Sequence, residues 1–171
     1  THIHRIHEAS TLIDADYYIC INGDEPLIEP STVVSILNPL KTKKDFFALN
    51  LMTTIQDPTQ LVDFSKIKIV TDENGYGLYM SRSPIPYPRG SSQFEYKKYV
   101  GVECMSKNAL NFFVSTSPSR LELIEDIDHL RFIENGKQIK FIGVDSNTLS
   151  VDTPKDLERV INVIKSNNEV I

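Results

Sequence analysis

The order of hydrophobic and polar positions along the chain predicts strands that alternate with helices. Unbroken apolar character over Tyr17–Asn22 is typical of a strand that a sheet buries on both faces, and the β-favouring residues of Phe46–Thr54 predict another strand. Further strands are predicted over 66–71, 77–81, 99–105 and 140–144, and helices over 5–13, 32–40, 107–115, 121–135 and 154–165. This alternation predicts a three-layer α/β fold with a mostly parallel mixed sheet.

Turn and cap residues set the limits of these elements. Asp72-Glu73-Asn74-Gly75 is a strong turn signal that predicts a hairpin insertion over Ile67–Ser81. Three prolines and a final glycine over Ser83–Gly90 exclude a helix and predict an extended loop. Thr153-Pro154 is a typical helix start, and Gly136 is a typical helix end. Since no repeat or linker divides the 171 residues, one domain is expected.

Composition excludes several functional classes. The formal net charge is -5 and no run of Lys or Arg is present, which argues against broad nucleic-acid binding, and no apolar run is long enough to cross a bilayer. Cys20 and Cys104 lie in apolar strands without a disulfide or zinc pattern, as in a protein of the reduced cytoplasm. The closely spaced His2, His4 and His7 could suggest a metal site, but without a partnering Cys or carboxylate we interpret them as residues of a helix surface. A small anionic substrate would therefore need a locally basic pocket.

Two turns present carboxylates at strand ends. Asp24 follows the strand Tyr17–Asn22 in an Asn-Gly-Asp-Glu-Pro sequence, and Asp152 lies in a Val-Asp-Thr-Pro turn before a helix. Open α/β sheets bind ligands at the carboxyl ends of their strands, and Mg²⁺ is held by one or two carboxylates together with water and substrate phosphates. Asp24 and Asp152 are therefore candidate ligands of one Mg²⁺ ion. The alternative is an ordinary polar turn and a helix-entry residue.

The segment around Asp24 resembles the central motif of the CMP-Kdo synthetase family, cytidylyltransferases that join CMP to the acidic sugar Kdo. In that family the motif usually reads Gln-Gly-Asp-Glu-Pro. The resemblance extends, in the family's order, over five blocks: 19–29, 70–89, 99–102, 121–131 and 151–157. It implies a Rossmann-like nucleotide-diphospho-sugar transferase fold, CTP and an acidic acceptor as substrates, Mg²⁺ as cofactor, and a homodimer with the hairpin among its contacts.

The resemblance also implies roles for individual residues. Asp24 and Asp152 match the catalytic metal ligands, and Arg82 and Arg89 match arginines of a Ser-Arg-x-x-Ile-Pro-x-x-Arg block that contributes to the acceptor site. Guanidinium groups suit this task because they bind carboxylates and phosphates with two parallel hydrogen bonds. The implied substrate-binding residues are Asn22, Arg82, Arg89, Tyr99, Gly101, Glu103, Asp128 and His129.

Four of these positions depart from the family pattern. Tyr99 stands where the family has His, Glu103 stands where it has Tyr, and Asp128 and His129 replace Glu and Gln. Changes of buried polar groups alter specificity strongly. If Glu103 faces the pocket, its carboxylate favours an acceptor with a cationic amine. We therefore hypothesise an acceptor other than Kdo itself, either another acidic sugar or a phosphorylated amino acid.

The start of the chain is a further departure. Family members begin with a strand and a basic Pro-Ala-Arg-x-x-Ser-x-Arg loop that grips CTP, and nothing here matches it. Arg5-Ile6-His7-Glu8 instead resembles the end of a later Gly-Thr-Asp-Arg-x-x-Glu motif. Two interpretations follow: a fragment without the N-terminal CTP-binding segment, or a degenerate relative that holds CTP poorly. A non-catalytic binding or dimerisation module is the alternative function, and a guanylyl- or uridylyltransferase ranks lower.

Overall fold

The structure is a computed structural model that describes residues 1–42, 45–91, 93–146 and 149–168. In chain order its elements are α1 His2–Leu12, β1 Tyr17–Ile21, α2 Pro30–Ser35, α3 Asn38–Thr42, β2 Ala48–Thr54, α4 Thr59–Val62, β3 Lys68–Thr71, β4 Gly77–Ser81, β5 Lys97–Ser106, α5 Lys107–Ser115, α6 Arg120–Glu125, α7 Leu130–Glu134, β6 Ile139–Gly143 and α8 Pro154–Asn168. The α/β class and the hairpin of β3 and β4 are confirmed. None of the helices in these ranges combines the length and the apolar content that crossing a bilayer requires.

The ten-residue strand β5 is the centre of the sheet. The strand order is β4-β3-β5-β2-β6, and β1 also pairs with β5. β5 runs antiparallel to β1, β2 and β3, and among the described strands only β2 and β6 pair in parallel. The prediction of a mostly parallel sheet was therefore wrong for the described residues. Among its described residues, the chain between β2 and β5 carries the four-residue α4 and the hairpin of β3 and β4, and not the long crossover helix that typically joins parallel neighbours.

Two clusters of buried side chains pack on opposite faces of the sheet. Successive residues of a strand point to opposite faces, and along β5 Val102 and Cys104 belong to one cluster while Met105 belongs to the other. The larger cluster brings α1, α5 and α7 onto the sheet through side chains such as Ile3 and Phe132. Burial of each large apolar side chain contributes about 1.5–3 kcal/mol. This arrangement agrees with the predicted layers of helix, sheet and helix.

Three local predictions were wrong, and two of them concern segments next to predicted site residues. β1 is not covered on both faces, because Ile19 and Ile21 are 39% and 46% exposed. The helix predicted over 121–135 is two helices, α6 and α7, because Asp126 adopts a left-handed conformation with φ of 54° that a continuous helix does not allow. The helix predicted over 32–40 is likewise divided into α2 and α3.

Candidate active site

A cleft of about 210 Å³ lies where the turn after β1, the segment before β3 and the segment before α8 meet. Its lining residues are Asn22, Asp24, Glu25, Ser65, Lys66, Ile67, Arg82, Tyr99, Ser150 and Asp152. A larger depression of about 880 Å³ lies at the opposite end of β1, between Asp14 and Lys107. It contains none of the site residues that the sequence selects. The smaller cleft is therefore the candidate active site.

An irregularity in β5 anchors the turn that carries Asp24. Asn50 of β2 pairs with Glu103 and Leu51 pairs with Val100, so the register of β2 skips Val102 and Gly101 of β5. The backbone groups of Gly101 serve the turn instead: its carbonyl accepts a 2.8 Å hydrogen bond from the Asn22 amide, and its own amide donates a 2.7 Å hydrogen bond to the carboxylate of Glu25. The turn is thereby fixed against the central strand.

Glu25 and Asp24 have different tasks although they are neighbours. Glu25 is buried and its carboxylate is committed to the Gly101 amide. The Asp24 carbonyl accepts a 2.8 Å hydrogen bond from the Val151 amide, which ties the turn to the segment that contains Asp152. The structural role of Glu25 was missed at the sequence level, where its position beside Asp24 was the only available signal.

Substitution of Gly101 by Ala is expected to lower the free energy of unfolding by about 1–3 kcal/mol. A Cβ atom at this position would lie 2.8 Å from Glu25 Oε1 and 2.9 Å from Asn22 Cβ, so the turn would have to move away from β5. Urea unfolding followed by circular dichroism measures the effect. Gly143→Ala is the matched control, because no atom lies within 4 Å of the added Cβ there. Equal stability of the two variants would contradict the anchoring role.

The two predicted metal ligands line the same cleft but have different surroundings. Within the described residues the Asp24 carboxylate has no hydrogen-bond or ion-pair partner. Asp152 Oδ2 lies 2.7 Å from Lys66 Nζ and accepts a 3.0 Å hydrogen bond from Ser150 Oγ. Lys66 and Ser150 were missed from the sequence: nothing local marks the contact of Lys66 with Asp152, 86 positions away, and Ser150, two residues before Asp152, belongs to no motif that was recognised.

The donor set fits a hard divalent cation held mainly by water and substrate. The part of the chain that the structure describes contains no group of three or more His, Cys, Asp and Glu side chains able to enclose a metal ion. Mg²⁺ does not require such an enclosure, because one or two carboxylates suffice when phosphate oxygens and water complete its shell. Asp24 and Asp152 supply that pair of carboxylates.

The structure brings Arg82 to the cleft but not Arg89. The Arg82 guanidinium donates to three backbone carbonyls, at 2.6 Å to Glu125, 3.1 Å to Phe64 and 2.8 Å to Asp126. Its position is therefore rigid, while much of its donor capacity is already used. Arg89 is exposed in the loop 83–90 and does not line the cleft.

The remaining predicted residues form a second group beside the cleft. The Glu103 carboxylate is 1% exposed and lies 2.6 Å from His2 Nε2 and 2.7 Å from His129 Nε2. Asp128 is 3.4 Å from the other ring nitrogen of His2. Tyr99 connects the group to the cleft, because its ring contacts the His129 ring at a centroid distance of 5.7 Å. Glu103 does not line the cleft and lies against two histidines, so the condition under which its carboxylate would favour a cationic amine is not met.

The pKa values of this group depend on the pairing. Burial alone raises the pKa of Glu103, but the charges of His129 and His2 and the hydrogen bond with His2 outweigh it and lower the pKa from 4.5 to about 2. Burial lowers the pKa of His2, whereas the hydrogen bond to Glu103 and the charges of Glu103 and Asp128 raise it, with a net rise above 6.5. Burial also raises the pKa of Tyr99 well above its usual value.

Glu103→Gln is expected to destabilise the protein most between pH 4.5 and pH 6.5. The lowered pKa of Glu103 means that its contribution is complete above pH 4.5 and is lost as the pH falls toward about 2. The raised pKa of His2 means that its contribution is complete below pH 6.5 and is lost as the pH rises through the raised value. Between these pH values Glu103→Gln should lower the free energy of unfolding by on the order of 3 kcal/mol.

Urea unfolding of wild type and Glu103→Gln from pH 2 to pH 9 measures this dependence. Glu73→Gln is the control, because Glu73 is an exposed carboxylate in the turn between β3 and β4. A stability difference that stays constant over this pH range would contradict the buried ion pair.

Comparison with known proteins identifies the family. A family profile described as Cytidylyltransferase matches residues 2–139. The 3-deoxy-manno-octulosonate cytidylyltransferase of Chlorobium phaeobacteroides is 38% identical over 165 residues, which are 95% of this chain and 67% of that protein. The protein of the same name from Solibacter usitatus is 36% identical over 163 residues, covering 95% of this chain and 65% of its own length. The chain thus spans about two thirds of the length of these relatives.

The same family emerges from solved structures. CMP:2-keto-3-deoxy-manno-octonic acid synthetase complexed with CTP superposes with a TM-score of 0.89 and 30% sequence identity, over 98% of this chain and 69% of that one. The resemblance inferred from the five sequence blocks is therefore confirmed. With a profile match over residues 2–139 and relatives aligned along nearly its whole length, the chain belongs to the cytidylyltransferase family.

Proposed function

We propose that this chain carries out, or is the larger part of a protein that carries out, transfer of CMP from CTP to an acidic sugar acceptor with release of pyrophosphate. The observation that carries the proposal is the meeting of Asp24 and Asp152 in one cleft of a cytidylyltransferase chain. The relatives named above act on 3-deoxy-manno-octulosonate by their names, and the superposed synthetase holds CTP. These similarities support the same class of donor and acceptor for this chain.

The reaction requires orientation and charge neutralisation rather than a protein nucleophile. An acceptor oxygen attacks the α-phosphorus of CTP, the new phosphorus–oxygen bond forms, and the bond to the leaving pyrophosphate breaks. When bound, Mg²⁺ supplies neutralisation of the phosphate charge and lowers the pKa of a coordinated hydroxyl. Asp24 and Asp152 would hold the ion, and their separate anchors keep both carboxylates at the cleft: the β5 contacts for Asp24 and the Ser150 hydrogen bond for Asp152.

The acceptor side of the site supports an acidic sugar related to Kdo. Arg82 provides a fixed positive charge at the cleft. Tyr99 lines the cleft and contacts His129, whose partner Glu103 is closed to solvent. Four replaced side chains at positions that contact the acceptor in the family favour a modified acidic sugar over Kdo itself. A phosphorylated amino acid is less favoured, because the named relatives are all sugar cytidylyltransferases.

Two further properties belong to the same proposal. We expect a homodimer in which the hairpin of β3 and β4 takes part, as the family resemblance implies. We also expect the reaction to take place in the cytoplasm, where CTP is available and where the two free cysteines, Cys20 and Cys104, stay reduced.

The test is pyrophosphate release from CTP and Mg²⁺ with a panel of acceptors: Kdo, other acidic sugars, and phosphorylated amino acids. We expect release with an acidic sugar and a slower rate with Kdo than with the preferred acceptor. Release only with a phosphorylated amino acid would overturn the sugar assignment. If no acceptor gave pyrophosphate release but the chain still bound an acidic sugar, the non-catalytic binding module would be favoured instead.

A further inference from the structure

The amine of Lys66 forms an ion pair with Asp152, a carboxylate that the proposed reaction needs as a metal ligand. Lys66 Nζ lies 2.7 Å from Asp152 Oδ2 and 2.8 Å from Ser150 Oγ. The side chain of Lys66 is 13% exposed and that of Asp152 is 35% exposed, so the pair is at the wall of the cleft and within reach of solvent ions. Asp24, on the other wall, has a carboxylate without such a partner among the described residues.

The backbone of Lys66 is held independently of its amine. The buried Lys68 side chain donates from Nζ to the carbonyl of Asp63 at 2.8 Å and to the carbonyl of Lys66 at 2.6 Å. The Lys66 amide also donates to the Asp63 carbonyl at 3.2 Å. Because these bonds fix the loop, the amine of Lys66 can leave Asp152 on its flexible four-carbon stem without unfolding the segment.

A divalent cation and an ammonium group cannot share one oxygen of Asp152 without strong repulsion. We infer that Lys66 and the divalent cation compete for Asp152, so that Lys66 neutralises this carboxylate before the cation binds and sets the affinity of the site for it. The inference rests on the proposed function only for the assignment of Asp152 as a metal ligand. When the cation displaces the Lys66 amine from Asp152, the positively charged amine stays beside the phosphates that accompany the metal. There it can pair with the negative charge of the substrate.

The experiment is a titration of the whole chain with Mn²⁺ alone. Binding is measured by calorimetry or from the electron paramagnetic resonance signal of free Mn²⁺. Lys66→Met removes the competing charge and keeps the length of the stem. We expect its dissociation constant for Mn²⁺ to be about tenfold lower than that of wild type, since a unit positive charge repels a divalent cation appreciably even in water at such distances. Lys97→Met is the matched control, because Lys97 also forms a 2.7 Å ion pair, with Glu95, and does not line the cleft.

A second pair of variants separates competition from general repulsion. In an Asp152→Asn background, Lys66→Met should no longer tighten Mn²⁺ binding, because the contested oxygen is gone. If Lys66→Met still tightened Mn²⁺ binding in the Asp152→Asn background, the inference would be overturned. The same holds if Lys66→Met alone bound Mn²⁺ no more tightly than wild type, or if neither wild type nor Lys66→Met bound Mn²⁺. The readout requires no transferase activity, so a chain that binds Mn²⁺ as expected but releases no pyrophosphate would contradict the proposed function and leave this inference standing.

Discussion

Replacement of Asp24 by Asn is expected to reduce CTP-dependent pyrophosphate release by at least about 100-fold, because it removes a cleft carboxylate that has no hydrogen-bond or ion-pair partner among the described residues and is therefore available to Mg²⁺, and metal stabilisation of phosphate charge supplies several kcal/mol. The amide has nearly the same size, and the anchors of the turn involve the Asp24 carbonyl and Glu25 rather than the Asp24 side chain. The free energy of unfolding should therefore stay close to that of wild type.

Steady-state pyrophosphate release over a range of Mg²⁺ concentrations measures this effect. Asp16→Asn is the control, since Asp16 is exposed just before β1 and does not line the cleft. Addition of Mg²⁺ should not rescue Asp24→Asn fully. Unchanged activity in this variant would refute the role of Asp24 as a metal ligand.

Replacement of Arg131 by Met is expected to lower the free energy of unfolding by about 3–5 kcal/mol, because it leaves the charge of Glu122 buried and unpaired. The two side chains are 3% and 7% exposed and form two parallel hydrogen bonds of 2.8 and 2.5 Å. Arg131 also donates to the carbonyls of Phe113 and Thr116, at 2.8 and 3.0 Å, and its guanidinium lies 3.7 Å from the centre of the Phe113 ring.

Urea unfolding measures the loss, with Arg120→Met as the control for an exposed arginine of α6. The double variant Glu122→Met/Arg131→Met should lose less than the sum of the two single variants, because no unpaired charge remains in it. If Arg131→Met were as stable as Arg120→Met, the pair would not hold α6 and α7 together. The pair matters for the site because α6 ends at Glu125 and Asp126, whose carbonyls position Arg82, and because His129 directly precedes α7.

Elements with strong local signals were predicted accurately. The helix predicted over 107–115 is α5 at the same bounds, and the strand predicted over 77–81 is β4. Gly75 and Gly136, chosen as turn and helix-end residues, both have positive φ angles, 74° and 69°, which glycine adopts without steric cost. These features depend on neighbours within a few residues, so the sequence contains the information directly.

The candidate site was predictable in its parts because the family blocks are sequence motifs. Asn22, Asp24, Arg82, Tyr99 and Asp152 were selected separately and line one cleft. Glu103, Asp128 and His129 were assigned to the same pocket, yet the structure joins them with His2 into a buried group of ion pairs. A motif identifies which residue type stands at a position, but it does not report which partner has already neutralised that residue's charge.

The sequence by itself determined the class of the fold, the hairpin, the turns and the family, since these follow from local conformational preferences and from motifs in order. The tertiary structure alone decided the antiparallel surroundings of β5, the exposure of one face of β1 and the division of the helix at Asp126. It also decided that Lys66 pairs with Asp152 and His2 with Glu103. These contacts join residues 86 and 101 positions apart, and their energies depend on distance and burial in three dimensions, which no local pattern of the chain encodes.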